Sequence, residues 1–232
     1  MNSRALRVGT ALLALGIGIW AGLRIHREAA PQIAAVRVPV GEASPPTPSD
    51  LDKPWDPAEP PRVNIPEKLP DFALGNRAGK LTSISTWQGK SLVINFWATW
   101  CAPCRHEIPL LESLSKDWES RNIQVVGVAV DYRDSVLAYA NDLKIPYPLL
   151  IGEQDALDAA AALGFDSPVF PFTVFTDRRG QIVTLFIGEL HKPQADLILS
   201  AVQNVNQDLI PLGQARRTIA DGLRALASSP SG

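Results

Sequence analysis

The sequence predicts an α/β fold, a central mixed sheet flanked by helices, carried behind an N-terminal membrane anchor. Three observations predict it. Two apolar runs, Ser91–Trp97 (SLVINFW) and Gln124–Val130 (QVVGVAV), lack strict alternation and read as strands covered on both faces. Between them, Ile108, Leu111, Leu114 and Trp118 recur at the spacing of one helix face. Far upstream, Val8–Leu23 (VGTALLALGIGIWAGL) carries no charge at all.

That upstream run has 16 residues. As a helix it rises ~24 Å, slightly less than the ~30 Å hydrocarbon core of a bilayer. Arg4 and Arg7 before it, and Arg24 and Arg27 after it, can snorkel to the two interfaces. Residues 1–30 are therefore expected to be a signal anchor; a cleavable signal peptide is the alternative, since a basic stretch precedes the apolar one. The flanking charges differ too little to set orientation by the positive-inside rule.

Eleven of the 20 prolines fall between Pro31 and Pro70. Proline fixes φ and removes a backbone donor, so residues 31–69 are expected to form a Pro-rich, semi-extended linker. Its last part, near Val63–Pro70, is expected to fold against the domain that follows.

The domain is expected over residues 70–205. Asp71–Leu74 and Lys80–Ile84 read as a small hairpin, followed by the β-α-β unit described above with a right-handed crossover. Ser135–Leu143 reads as a helix and Pro148–Ile151 as a short strand. Asp155–Leu163 is Ala-rich and helical, and Gly164 suits its C-terminus. Phe172–Thr176 and Ile182–Ile187 are strands joined by the turn Asp177-Arg178-Arg179-Gly180. Pro193–Val205 closes the domain as a helix over the sheet. In the extension, residues 206–232, apolar residues at 212, 215, 219, 223 and 226 predict one amphipathic helix over Leu212–Leu226.

Composition narrows the function. The chain has net charge −2, and from Asp71 onward 14 basic residues face 17 acidic ones, which argues against a nucleic-acid partner. Two cysteines exclude a disulfide framework. Both sit in Trp100-Cys101-Ala102-Pro103-Cys104, directly after a strand and at the start of a helix. The unpaired N–H groups and positive dipole end of a helix stabilise an anion there, so Cys101 is expected to have a lowered thiolate pKa. Cys104 lies one turn further in, as a resolving thiol would. The same spacing also fits half a zinc site, but zinc needs about four ligands and only His26, His106 and His191 remain. A peroxidase is disfavoured, because its Thr-x-x-Cys pattern is absent.

The stretch Asn95-Phe96-Trp97-Ala98-Thr99-Trp100-Cys101-Ala102-Pro103-Cys104-Arg105-His106-Glu107-Ile108-Pro109 resembles the signature of thioredoxin-fold thiol-disulfide oxidoreductases of the TlpA/ResA (CcmG/DsbE-like) type. Pro70-Asp71-Phe72-Ala73-Leu74 and Trp87-Gln88-Gly89-Lys90 are similar to that family's opening strands, and Pro171 to Gly180 (PFTVFTDRRG) to its second landmark. The similarity spans roughly residues 70 to 205.

The resemblance implies a thioredoxin-like fold and roles for named residues. Cys101 would attack a substrate disulfide, and Cys104 would release the product and close a Cys101–Cys104 redox disulfide. Glu107 would be the acid that handles protons. Pro171 would be the family's cis-proline, and Trp100, Phe170 and Pro171 would contact substrate. Asn95 stands where cytosolic thioredoxins carry a buried acid; it cannot take up a proton, which shifts that burden to Glu107 or water. Phe172 replaces the Thr often found after the proline. No cofactor or metal is implied. The implied partners are protein disulfide substrates, apocytochrome c among them, and a membrane thiol donor of the DsbD/CcdA type. The implied location is the bacterial inner membrane, with the catalytic domain in the periplasm. An oxidant or isomerase of the same fold, or a non-enzymatic binding module, are the alternatives.

Overall fold

A computed structural model of the protein describes residues 65–165 and 168–228. Within them the strands are β1 (Ala73–Asn76), β2 (Leu81–Ser83), β3 (Ser91–Trp97), β4 (Ile123–Val130), β5 (Leu149–Gly152), β6 (Phe172–Thr176) and β7 (Ile182–Ile187). The helices are α1 (Ala102–Asp117), α2 (Arg133–Asp142), α3 (Gln154–Ala162), α4 (Lys192–Asn206) and α5 (Leu212–Ser228). The strands form one sheet in the order β2-β1-β5-β4-β3-β6-β7. The sheet is mixed: β3, β4 and β5 run parallel, while β6 and β1 pair antiparallel to β3 and β5.

The central strand β3 is buried along its whole length, and its alternate residues feed two separate cores. Val93 and Trp97 join the core under α1, α2, α4 and α5, with Ile108, Leu111, Val136, Ile198 and Ile219. Leu92, Ile94 and Phe96 join the core under α3, with Ala156, Ala160 and Leu163. This two-sided burial is why β3 and β4 read as continuous apolar runs. It also turns Asn95 toward α1, on the same face as Val93 and Trp97.

Gly127 in β4 marks where this core is tightest. A Cβ there would lie 2.6 Å from Leu149 Cδ2 and 3.2 Å from both Trp97 Nε1 and the Tyr147 ring. Only glycine lets those side chains close over the strand.

The expected elements appear with small shifts. Helix α1 caps out at Trp118, whose ring carries the Arg121 guanidinium 4.5 Å above it. Ile84, expected in the second strand, instead starts a 3-10 turn over Ile84–Trp87. Trp87–Lys90, likened above to an opening strand, is the end of that turn and the bend after it, tied by the Lys90 N–H to the Trp87 carbonyl at 3.1 Å. The stretch is too short and too tightly turned to enter the sheet. Gly164 ends α3 at φ +94°. The β6–β7 turn is closed by Asp177, whose Oδ1 accepts from the N–H groups of Arg179 and Gln181.

Glu67–Leu69 fold onto the domain as the sequence suggested. The Ile182 N–H donates to the Glu67 carbonyl, and the Leu69 N–H to the Gly180 carbonyl, both at 2.9 Å. Helix α5 contributes Ala215 and Ile219 to the first core, and Arg216 donates from Nη2 to the Ile182 carbonyl at 2.6 Å. Val8–Leu23 and most of the linker lie outside the described residues. Among the described residues, no helix is long and apolar enough to cross a membrane.

Candidate active site

Strand β3 delivers the chain to the N-terminus of α1, and both cysteines sit at that junction. Cys101 is the N-cap residue, and its Sγ accepts from the Cys104 N–H at 3.3 Å. Pro103 occupies the first turn, where the missing N–H would have no helical partner. The two sulfurs are joined in a disulfide, with Cα atoms 5.3 Å apart. Cys104 is fully buried and Cys101 nearly so, whereas the intervening Ala102 and Pro103 are exposed.

The start of β6 meets the same loop through Trp100. The Phe170–Pro171 peptide bond is cis, and the Pro171 carbonyl accepts from the Gly188 N–H at 2.8 Å. Trp100 stands 67% exposed beside Cys101 and meets Phe170 edge-on, with ring centroids 6.2 Å apart. Phe170 in turn stacks on Phe172 at 6.1 Å. Of the three residues expected to contact substrate, Trp100 thus meets Phe170, which is joined to Pro171 by the cis bond.

Glu107 lies one helical turn after Cys104 and is 1% exposed. Its Oε1 accepts from Asn95 Nδ2 at 2.7 Å, and its Oε2 accepts from the Leu190 N–H at 2.9 Å. Asn95 Nδ2 also donates to Thr173 Oγ1 at 3.0 Å. Burial raises the Glu107 pKa to about 7; the two donors oppose the rise and nearby Glu189 adds to it. Desolvation outweighs the hydrogen bonds, so the group exchanges its proton near neutrality. A buried carboxyl of this kind, next to a thiol pair, can accept a proton from one sulfur and return it.

Sequence reasoning reached Cys101, Cys104, Glu107, Asn95 and Pro171. It missed Thr173, Leu190 and Glu189. Thr173 meets Asn95 only through the β3–β6 register, which pairs the two residues across the sheet. Leu190 acts through its backbone, 83 residues from Glu107, and no side-chain signal marks such a donor.

Residues 65–186 match the AhpC/TSA family. The thioredoxin-like protein YneN of Bacillus subtilis (strain 168) is 31% identical over 134 residues, which cover 56% of this chain and 75% of that one. The thiol-disulfide oxidoreductase ResA of Geobacillus kaustophilus is 27% identical over 142 residues, covering 61% and 79%. The crystal structure of a thioredoxin-family thiol:disulfide interchange protein from Chlorobium tepidum is similar with TM-score 0.53 at 29% identity, over 60% of this chain and 97% of that one. The sulfur pair at a helix N-terminus, the cis-proline at the start of β6 and these similarities agree: the chain belongs to the AhpC/TSA family, as a thiol-disulfide oxidoreductase of the thioredoxin-like fold.

Proposed function

We propose that this protein is a membrane-tethered, extracytoplasmic disulfide reductase acting on envelope proteins, with its catalytic domain on the periplasmic side of the bacterial inner membrane. The observation that carries the reading is the Cys101–Cys104 pair capping α1, one turn from the buried carboxyl of Glu107.

The reaction starts from the reduced pair. The Cys101 thiolate attacks one sulfur of a substrate disulfide, forming a mixed disulfide and expelling a substrate thiolate, which takes up a proton. Cys104 gives its proton to Glu107, then attacks Cys101 Sγ. The second substrate thiolate leaves and is protonated, and the Cys101–Cys104 disulfide closes. Two electrons pass from the pair to the substrate. A dithiol donor must return them, and a membrane thiol donor of the DsbD/CcdA type has the chemistry required. Trp100, Phe170 and Pro171 hold the substrate chain against Cys101.

The uncharged run Val8–Leu23 in the sequence supports a tether, and the described part of the chain begins at the far end of the sheet. Glu67–Leu69 pair beside the β6–β7 turn, and Thr176 there bonds to Leu92 at the start of β3. That pole lies opposite the disulfide, about 20 Å away along the seven residues of β3. Apocytochrome c, with its haem-binding cysteines, is one client class that fits.

A Cys104→Ala variant tests the reading, since it leaves the mixed disulfide on Cys101 with no resolving thiol. Mass spectrometry of the trapped adducts in cells should return envelope proteins. Recovery of none would sink the proposal. Alkylation trapping that finds the pair mainly oxidised, with the thiol donor intact, would instead favour an oxidant or isomerase.

A further inference from the structure

The loop after β7 meets the redox site through three consecutive residues. The Gly188 N–H donates to the Pro171 carbonyl at 2.8 Å, and the Leu190 N–H donates to Glu107 Oε2 at 2.9 Å. Between them, Glu189 reaches two histidines: its Oε2 lies 3.4 Å from His106 Nδ1, and its Oε1 3.9 Å from His191 Nδ1. We propose that Glu189 is a positioning residue for the proton step, one that holds a fixed carboxylate beside Glu107 and so governs when that acid can take the Cys104 proton. The inference rests on the function proposed above and names the residue that regulates its proton acceptor.

Each oxygen of Glu189 is engaged, one with each of two helices. His106 precedes Glu107 on α1, and His191 is the N-cap residue of α4. The carboxylate therefore bridges α1 and α4 at the residue before Leu190, whose N–H binds the buried acid. Its side chain is 27% exposed, between two imidazoles that stand open to solvent. A carboxylate free at the surface would swing into water, where its field is screened. Contacts on both oxygens keep this one next to the backbone donor of Glu107.

A like charge held near a carboxyl opposes its ionisation, the more so where water is excluded. Glu107 is buried, and Glu189 adds to the larger effect of that burial. The groups bonded to Glu107 are neutral: the Asn95 amide from β3 and the Leu190 N–H from the loop. Thr173 on β6 accepts from Asn95. Tyr147, before β5, also senses Glu107, with Glu112 of α1 and Arg77 beside it, but burial holds its phenol protonated. His106 and His191 act on Glu189 itself. While Glu189 is charged, Glu107 keeps its proton to higher pH. Glu189 thus delays the appearance of the carboxylate that must receive the Cys104 proton.

The test reads Glu107 directly. The full chain, oxidised and labelled with carbon-13 at its glutamate carboxyls, is titrated from acid to alkaline pH by NMR. The Glu107 signal is assigned by its loss in Glu107→Gln. Glu189→Gln keeps the side-chain shape and removes the charge, and it should lower the Glu107 midpoint by about half a pH unit. Glu189→Asp restores the charge and should stay within about 0.2 unit of wild type. In exchange of the reduced protein with a small aryl disulfide, Glu189→Gln should be about threefold faster than wild type on the acid side of the inflection, the same half unit expressed as a rate. Loss of a merely structural contact would slow exchange instead. A Glu189→Gln midpoint within about 0.2 unit of wild type, or above it, overturns the proposal. So does a Glu189→Asp midpoint displaced as far as that of Glu189→Gln, or a rate lowered equally at every pH with the midpoint unmoved. Absence of exchange in the wild type, with the midpoint shift intact, would reject the redox reading and leave the link between Glu189 and Glu107 standing.

Discussion

Asn95 donates to Glu107 at 2.7 Å, and this one contact links the central strand to the helix that carries the cysteines. The same amide also donates to Thr173 Oγ1, so it is fixed from both sides. An acid at position 95 would set two carboxyls against each other in a buried space. An amide instead gives Glu107 a neutral donor and leaves it as the buried titrating group beside the disulfide.

This arrangement makes stability depend on pH. Glu107 titrates at an ordinary 4.5 when unfolded and at about 7 when folded. Between these values the native state binds more protons than the unfolded state, so stability falls as pH rises. The difference amounts to about 3 kcal/mol of stability, fully present below pH 4.5 and fully lost above pH 7. Denaturant unfolding of the oxidised protein at pH 5 and pH 8 reads it. In Glu107→Gln this slope should vanish. Glutamine has one acceptor oxygen for the two donors, Asn95 Nδ2 and the Leu190 N–H, so the variant should be weaker by about 1–3 kcal/mol at pH 5. At pH 8 it should match or exceed wild type. Parallel pH curves for the two proteins would refute the assignment.

The same carboxyl should matter for rate if it shuttles the Cys104 proton. Glu107→Gln is expected to lower the rate of disulfide exchange at pH 7 by about a hundredfold, the low end of general acid–base contributions. It should also remove the inflection near pH 7 from the rate profile. A profile that keeps its inflection in the variant would assign the proton step to water or to the thiols themselves.

Cys101 and Cys104 were legible because their chemistry rests on local sequence: a strand, a turn and a helix start within about ten residues. Strands β3 and β4 were legible for a similar reason, since burial on both faces writes an uninterrupted apolar run. Glu107 could be named from its spacing, but not its depth. Its burial depends on Leu190 and Thr173, brought in by β6 and the loop after β7. Trp87–Lys90 misled because its residues match a landmark, while backbone hydrogen bonding turns them out of the sheet.

Gly127 offers a test of core packing near the site. Gly127→Ala should destabilise the domain by about 1–3 kcal/mol, because the new methyl would stand 2.6 Å from Leu149 Cδ2 with Trp97 and Tyr147 closing the other sides. A shift in tryptophan fluorescence should accompany the loss, since Trp97 must move to make room. An unchanged unfolding midpoint would mean that the strand gives way more easily than its buried neighbours suggest.

Helix α5 lies beyond the residues that match the family, yet its packing argues that it is part of the domain. Ile219 is 1% exposed and Ala215 fully buried, both in the core shared with α1 and α4. Ile219→Ala should therefore cost about 2–5 kcal/mol and lower the melting temperature by roughly 5–15 °C. Thr218→Ala, on the exposed side of the same helix, should be nearly neutral. The unfolding transition should remain single and cooperative in both, because α5 also ties Arg216 to the Ile182 carbonyl of β7. A helix merely appended to the domain would behave differently. Ile219→Ala would then remove helical signal at low temperature in a separate step and leave the main transition where it was.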